Sequence, residues 1–213
     1  MKVKIYDYWR SSASYRLRIA FHLKGVDFET EQVDLHPDRK QHQSDDYRAL
    51  NPQMRVPALS IDGEVIGQSM AILEWIEETW PTPSILPTDP VARLKARAFA
   101  DTIACDVHPL NNPSVLNELK AEFGANQSAI SAWYAKWIQI GFEALEARYG
   151  ERTHDFLFVD YPTVAEICLI PQIYNARGFK VDLSAFPRLL EIDAKCMMLD
   201  AFKAASPEAT KPD

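Results

Sequence analysis

The chain has 213 residues, 47% apolar and 25% charged, with a formal net charge of -7, which suits one or two modest domains with a substantial core. The acidic balance, with no Lys/Arg block to neutralise phosphates, excludes a nucleic-acid footprint, and no apolar run approaches the roughly 18 residues that span a bilayer. The start MKVKIYDYW lacks the apolar segment and cleavage site of a secretory leader, so a cytoplasmic address without membrane contact is the default expectation.

In chain order, VKIYDYW reads as a first strand and SYRLRIAFHLKG as a helix, with Leu17, Ala20, Phe21 and Lys24 at helical spacing and Gly25 as its stop. FETEQVDL, from Phe28 to Leu35, alternates as a second strand. After a polar loop and the short ALNP segment, VPALSI and EVIG flank Asp62-Gly63, a dipeptide suited to a tight hairpin turn. SMAILEWIEETW follows as a helix with Ile72, Leu73, Ile76 and Trp80 on one face. PTPSILPTDPVA then places four prolines within ten positions and marks a connection between domains.

Beyond Val91 strand patterns largely disappear. Helical periodicity runs from about Ala92 to Phe123, Ser128 to Tyr149, Thr163 to Ala176 and Phe186 to Phe202, with Gly150 and Gly178 as stops. Thr163 and Glu166 have capping-box spacing at a helix start. Trp133, Tyr134 and Trp137 read as one buried helix side, and Cys168 as helix packing.

Few residue types here carry chemistry. The cysteines Cys105, Cys168 and Cys196 are odd in number and dispersed, against both a disulfide framework and a thiolate metal site. His22, His36, His42, His108 and His154 never fall at metal-binding spacing, so no metal is expected. Three strand-to-helix or loop-to-strand junctions remain. Ser11, Ser12 and Ser14 either cap the first helix or aim a hydroxyl and helix amides at a thiolate, with Arg10 as a nearby cation. Val56-Pro57 either starts a strand or, if cis, leaves the Val56 amide and carbonyl free for an extended ligand. Gln68-Ser69 either caps the next helix or holds a ligand carboxylate there. Arg16 and Arg18 lie on different helical faces and are expected mainly to secure a domain or subunit surface.

The stretches SSASYRLRIAFHLKG, ALNPQMRVPAL, IGQSMAILEWIEETWPTPSILP, HPLNNPSVL and PTVAEICLIPQIYNA, with VDL and FP between Val181 and Pro187, resemble the zeta-class glutathione transferases over nearly the whole chain. That family includes maleylacetoacetate isomerases and related maleylpyruvate isomerases. The resemblance implies an α/β plus all-α fold. Residues 1–81 would form a thioredoxin-like glutathione-binding domain, 82–90 a linker and 91–213 an all-helical domain. It implies glutathione as cofactor, with Ser11 contacting its thiolate, Ser12 beside it, and Arg10 binding a substrate carboxylate or the developing enolate. Val56, before a cis Pro57, would pair with the cysteinyl backbone, Gln68 and Ser69 would hold the γ-glutamyl end, and His42 and Gln53 would approach the glycyl or cysteinyl part. His108 and Asn112 match helical-domain residues lining the cleft, and Arg177 would hold a distal carboxylate.

The activity implied is cis-trans isomerisation of maleylacetoacetate to fumarylacetoacetate in aromatic amino-acid catabolism, by a homodimer acting on a small diacid or keto acid. Alternatives are a maleylpyruvate isomerase, a glutathione transferase or dehalogenase acting on small α-halo acids, and a glutathione-binding module without catalysis. Two departures from the family pattern stand out. Ala13 occupies the place of the usual Cys in Ser-Ser-Cys, and Gly178 the place of an Arg before Phe179, with Arg177 one residue earlier. One residue turns a side chain by roughly 100° on a helix. Ser114, where pyruvate-type relatives carry Arg, sides with the acetoacetate type.

Overall fold

The computed structural model describes residues 2–149 and 153–212. The chain divides into two compact units, the first running to Ile85 and resuming at Met198, the second running from Leu86 to Met197.

In the first unit β1 (Val3–Asp7) leads into α1 (Ser12–Lys24), and β2 (Glu29–Gln32) returns parallel to β1. A 3-10 turn at Gln41–Gln43 and α2 (Asp45–Leu50) occupy the stretch expected as a polar loop; α2 is capped by Ser44 and anchored by buried Tyr47. β3 (Ala58–Ile61) runs antiparallel to β1, and β4 (Glu64–Ile66) antiparallel to β3, giving the order β2-β1-β3-β4. Asp62 and Gly63 both have positive φ, 49° and 95°, as the Asp-Gly hairpin requires. α3 (Ser69–Thr79) follows and buries Ile72, Leu73 and Ile76.

The register gathers three junctions at one end of this sheet. Tyr6, near the C-terminal end of β1, pairs with Ala58 at the start of β3, whose next residue Leu59 pairs with Ile66 at the end of β4. The turn into α1, the Val56-Pro57 approach to β3 and the turn into α3 therefore share that end.

α1 is buried nearly all round, and its arginines are among the most enclosed side chains of the unit: Arg16 is 2% exposed and Arg18 1%. Their expected surface role is thus corrected. The chain after Pro81, expected as a linker over residues 82–90, is held in place as far as Ile85. The Glu77 carboxylate accepts from the Ser84 hydroxyl and the Ile85 amide and pairs with Lys24, which also donates to the Pro83 carbonyl.

The second unit is helical. α4 (Pro90–Asp101) continues through a π turn at Thr102–Val107 and a 3-10 turn at Pro109–Asn111 into α5 (Pro113–Ala121). The single helical pattern expected from Ala92 to Phe123 is thus broken, because Pro109 and Pro113 carry no amide hydrogen to continue a helix. α6 (Gln127–Tyr149), α7 (Val164–Gly178) and α8 (Pro187–Cys196) complete the unit. Gly150, an expected stop, lies outside the described residues. α6 passes so close to the π turn that a Cβ on Gly141 would lie 2.3 Å from Val107 Cγ2. α7 begins with the expected capping box: the Ala165 amide donates to Thr163 Oγ1, and the Thr163 amide to Glu166 Oε2 at 2.7 Å. Burial pushes the Glu166 carboxyl up, against the opposing effect of donors that include the Leu157 amide. Cys168 is fully buried in α7 as expected, and Tyr134 is buried on α6.

The helical pattern expected to run from Phe186 to Phe202 stops at Cys196, and α9 (Asp200–Ala204) and α10 (Pro207–Thr210) belong to the first unit. Tyr15 donates its hydroxyl to the Phe202 carbonyl at 3.2 Å, and Arg18 Nε donates to the Ala205 carbonyl at 2.9 Å. The expected extent of the helical domain, 91–213, is corrected accordingly. Among the described residues no helix is long and apolar enough to cross a membrane.

Candidate active site

At the start of α1, Ser11 is the N-cap: its Oγ accepts from the Ser14 amide at 3.2 Å, and its own amide donates to the Tyr8 carbonyl at 2.7 Å. The capping alternative is therefore real, but it uses only the oxygen. A hydroxyl carries one donor and two acceptor sites, so capping leaves the Ser11 hydroxyl able to donate elsewhere. Ser12 is buried as the first residue of α1. Arg10 is exposed, with its guanidinium carbon 5.6 Å from the Trp9 ring centroid. Ala13 is buried, so the position of the family Cys faces packing with a methyl group.

The start of α3 behaves differently. Its N-cap is Gln68, with φ 72° and ψ 94° and no side-chain cap hydrogen bond, and Ser69 is already the first helical residue. Ser69 is thus not the cap. A non-glycine residue at such a positive φ costs conformational energy that the surrounding structure must offset. The first-turn amides of a helix have no intrahelical acceptor and sit at the positive end of its dipole, so an uncapped start favours an anion. Ser69 Oγ accepts from Arg16 Nη1 at 3.2 Å, while Arg16 Nε and Nη2 are buried without an acceptor. The Gln68 side-chain amide donates to Gln53 Oε1 at 3.2 Å, which ties two expected site residues together.

The Val56-Pro57 peptide is cis. Among the described residues no protein group takes the Val56 amide or carbonyl, while its side chain packs against the cluster of Tyr6, Val33, Tyr47 and Ala58. The residue before it is pinned from two sides: the Tyr47 hydroxyl and the Asn51 side-chain amide each donate to the Arg55 carbonyl at 2.8 Å. Burial pushes the Tyr47 phenol up to about 12, so it remains a donor at neutral pH. His42 lies in the 3-10 turn with Nδ1 buried and unpartnered, and burial lowers its pKa.

In the second unit, His108 follows the π turn, and Asn112 caps α5 by accepting from the Ser114 amide at 3.0 Å and the Ser114 hydroxyl at 2.9 Å. Arg177, in the last turn of α7, donates to Asp193 Oδ2 at 2.6 Å. Its guanidinium therefore already has a protein carboxylate, so the expected clamp on a ligand would have to compete with Asp193.

Sequence reasoning missed two residues that hold the backbone ahead of Val56. Tyr47 and Asn51 fall in the polar stretch and the Asn-Pro before Val56, and the Asn-Pro-Gln run was a signal for the second. Arg16, expected at a surface, is separated from a surface arginine only by its depth of burial beside α3.

Residues 10–79 match the family model for the glutathione S-transferase N-terminal domain. The whole chain is 43% identical over 209 residues to maleylacetoacetate isomerase from Rhizobium meliloti, covering 98% of this chain and 97% of that one. A solved maleylpyruvate isomerase, described as a bacterial zeta-class glutathione S-transferase in its holo form, superposes with a TM-score of 0.95 at 45% identity over 99% of both chains. Maleylacetoacetate isomerase from Methylobacterium extorquens AM1, solved with bound malonate and glutathione, gives a TM-score of 0.93 at 35% identity over 99% of this chain and 100% of that one. The chain belongs to the zeta class of the glutathione S-transferase family. Its first unit is the thioredoxin-like glutathione-transferase domain and its second the helical one.

Proposed function

We propose that this chain is a glutathione-dependent isomerase that converts maleylacetoacetate to fumarylacetoacetate. Its full-length likeness to isomerases of that class carries the reading. The first unit fits glutathione on its own terms. The uncapped start of α3 over a buried guanidinium suits the carboxylate of a γ-glutamyl group, and the unused amide and carbonyl of Val56 suit a peptide running alongside.

Bound glutathione supplies a soft sulfur nucleophile whose reversible addition to the substrate double bond permits rotation about it. The chain's own part is to hold and polarise. Ser11 spends its oxygen on the Ser14 amide, leaving its hydrogen to stabilise a thiolate at the positive end of α1, with Ser12 beside it. Arg10, which pairs with no carboxylate among the described residues, balances a substrate carboxylate or the oxygen that gains charge during addition. Val56 pairs with the cysteinyl backbone, Gln68 and Ser69 hold the γ-glutamyl end, and Gln53 and His42 serve the remaining part of the tripeptide. Arg177, within the second unit, would bind a carboxylate only by giving up or sharing Asp193.

The assay that decides is formation of fumarylacetoacetate with glutathione in catalytic amount, since isomerisation returns it unchanged. Ser11→Ala should lower kcat by roughly 100-fold with little change in glutathione affinity. Maleylpyruvate is the second substrate to assay, because the 45% identical zeta-class neighbour bears that name; preference for it would reassign the substrate. Fast α-halo acid conversion without isomerisation would make the chain a transferase, and glutathione binding without either reaction a non-catalytic module. The proposal includes a cytoplasmic homodimer. Exposed Val91 and Leu94 on α4 supply an apolar surface for a second copy, and light scattering in solution tests the stoichiometry.

A further inference from the structure

Arg16 is 2% exposed, and its guanidinium makes a single hydrogen bond, from Nη1 to Ser69 Oγ; Nε and Nη2 are buried and meet no acceptor. No carboxylate among the described residues pairs with it. A buried guanidinium in this state is costly, because a charge removed from water needs both a counter-charge and hydrogen bonds. Among the described residues the one side chain it hydrogen-bonds is Ser69, the first residue of α3, an 11-residue helix with no side-chain cap. Two independent sources of positive potential, the open helix start and the guanidinium, therefore converge on Ser69.

The direction of the hydrogen bond fixes what Ser69 does next. Arg16 donates onto Ser69 Oγ, so the hydroxyl hydrogen is free to donate onward, and the cation polarises it to do so. We infer that Arg16 is the buried counter-charge of the γ-glutamyl α-carboxylate of glutathione, acting through Ser69 as a positioning residue. This rests on the proposed glutathione-binding function. The carboxylate supplies the negative charge that the unliganded protein lacks, and Arg16 thereby converts an otherwise unfavourable burial into selectivity for an anionic end group.

Isothermal titration calorimetry on the full-length protein tests this with two inert probes. One is S-methylglutathione, and the other is S-methyl-(4-aminobutyryl)-Cys-Gly, the same tripeptide without the γ-glutamyl carboxylate. The wild type should bind the second probe at least about 30-fold more weakly than the first. Arg16→Met should bind S-methylglutathione at least about 30-fold more weakly and no longer distinguish the probes beyond about 3-fold. Arg16→Lys, which keeps the charge, should restore most of the discrimination. Without ligand, Arg16→Met should melt at or above the wild-type temperature, because it removes an uncompensated buried charge.

An Arg16→Met variant that still discriminates as the wild type does, or that weakens both probes by the same factor, overturns the inference. So does one that unfolds or melts well below the wild type without ligand, since Arg16 would then be a structural support. If the wild type binds neither probe, the glutathione reading itself fails, a result distinct from all of these.

Discussion

Arg16 and Arg18 lie two positions apart on α1 and are almost equally buried, yet their surroundings are opposite. Arg18 donates to both oxygens of Asp7 at 2.7 and 2.8 Å, to the Trp9 carbonyl at 2.9 Å and to the Ala205 carbonyl at 2.9 Å. Its fork is saturated, and it ties β1, α1 and the C-terminal segment into one unit. Arg16 has one neutral partner. Two arginines at similar depth can thus serve different ends: a closed pair holds the fold, while an open one leaves a charge for something the fold does not contain.

The sharpest way to break that comparison is Arg18→Met. It leaves Asp7, 0% exposed, as a buried carboxylate without its bidentate partner. Loss of about 3–5 kcal/mol is expected, a drop in Tm of roughly 10 °C for a chain of this size, against no drop for Arg16→Met. Urea unfolding followed by circular dichroism measures both, and equal losses would erase the distinction.

The second unit offers a steric counterpart to the saturated site. Gly141 has no space for a methyl group, since Val107 Cγ2 would lie 2.3 Å from its Cβ. Gly141→Ala should cost about 1–3 kcal/mol by overpacking, and Val107→Ala in the same chain should recover part of the loss in the same unfolding measurement. Full stability of Gly141→Ala alone would mean that the π turn yields without cost.

His42 is a milder analogue of the open site, with Nδ1 buried and unpartnered and its pKa held below the usual 6.5 by burial. The unfolded chain then takes up the proton first as pH falls. His42 contributes stability above about 6.5 that is lost as pH drops from there through its folded pKa. His22 is shifted the same way by burial and by Arg18. His42→Gln should flatten the acid-side fall of Tm between about pH 7 and 5 by an amount on the order of 1 °C, the smallest of these effects. An unchanged pH profile would remove His42 from the comparison.

Much of the fold is legible from short-range patterns. Asp62-Gly63 turns where its left-handed preference demands, Ser11 caps α1, and Thr163 with Glu166 closes a capping box, because each of these bonds spans only a few residues. The Val56 and Gln68-Ser69 junctions are readable as candidates from their residue types, with family likeness favouring the ligand reading, and the register of the sheet explains why they gather at one end. The capping reading of Ser69 failed because the helix begins one residue earlier, at a positive-φ Gln68 that no propensity favours.

The sequence by itself determined the alternation of strands and helices, the caps and the turn, since backbone geometry repeats with fixed periods and closes hydrogen bonds locally. Only the tertiary structure decided which buried arginine is paired, that Arg177 goes to Asp193, and that the last residues return to the first unit through Tyr15 and Arg18. Those outcomes join groups far apart in the chain, where no period links donor to acceptor. Burial converts the presence or absence of a distant carboxylate into the difference between a structural cation and one that awaits an anion.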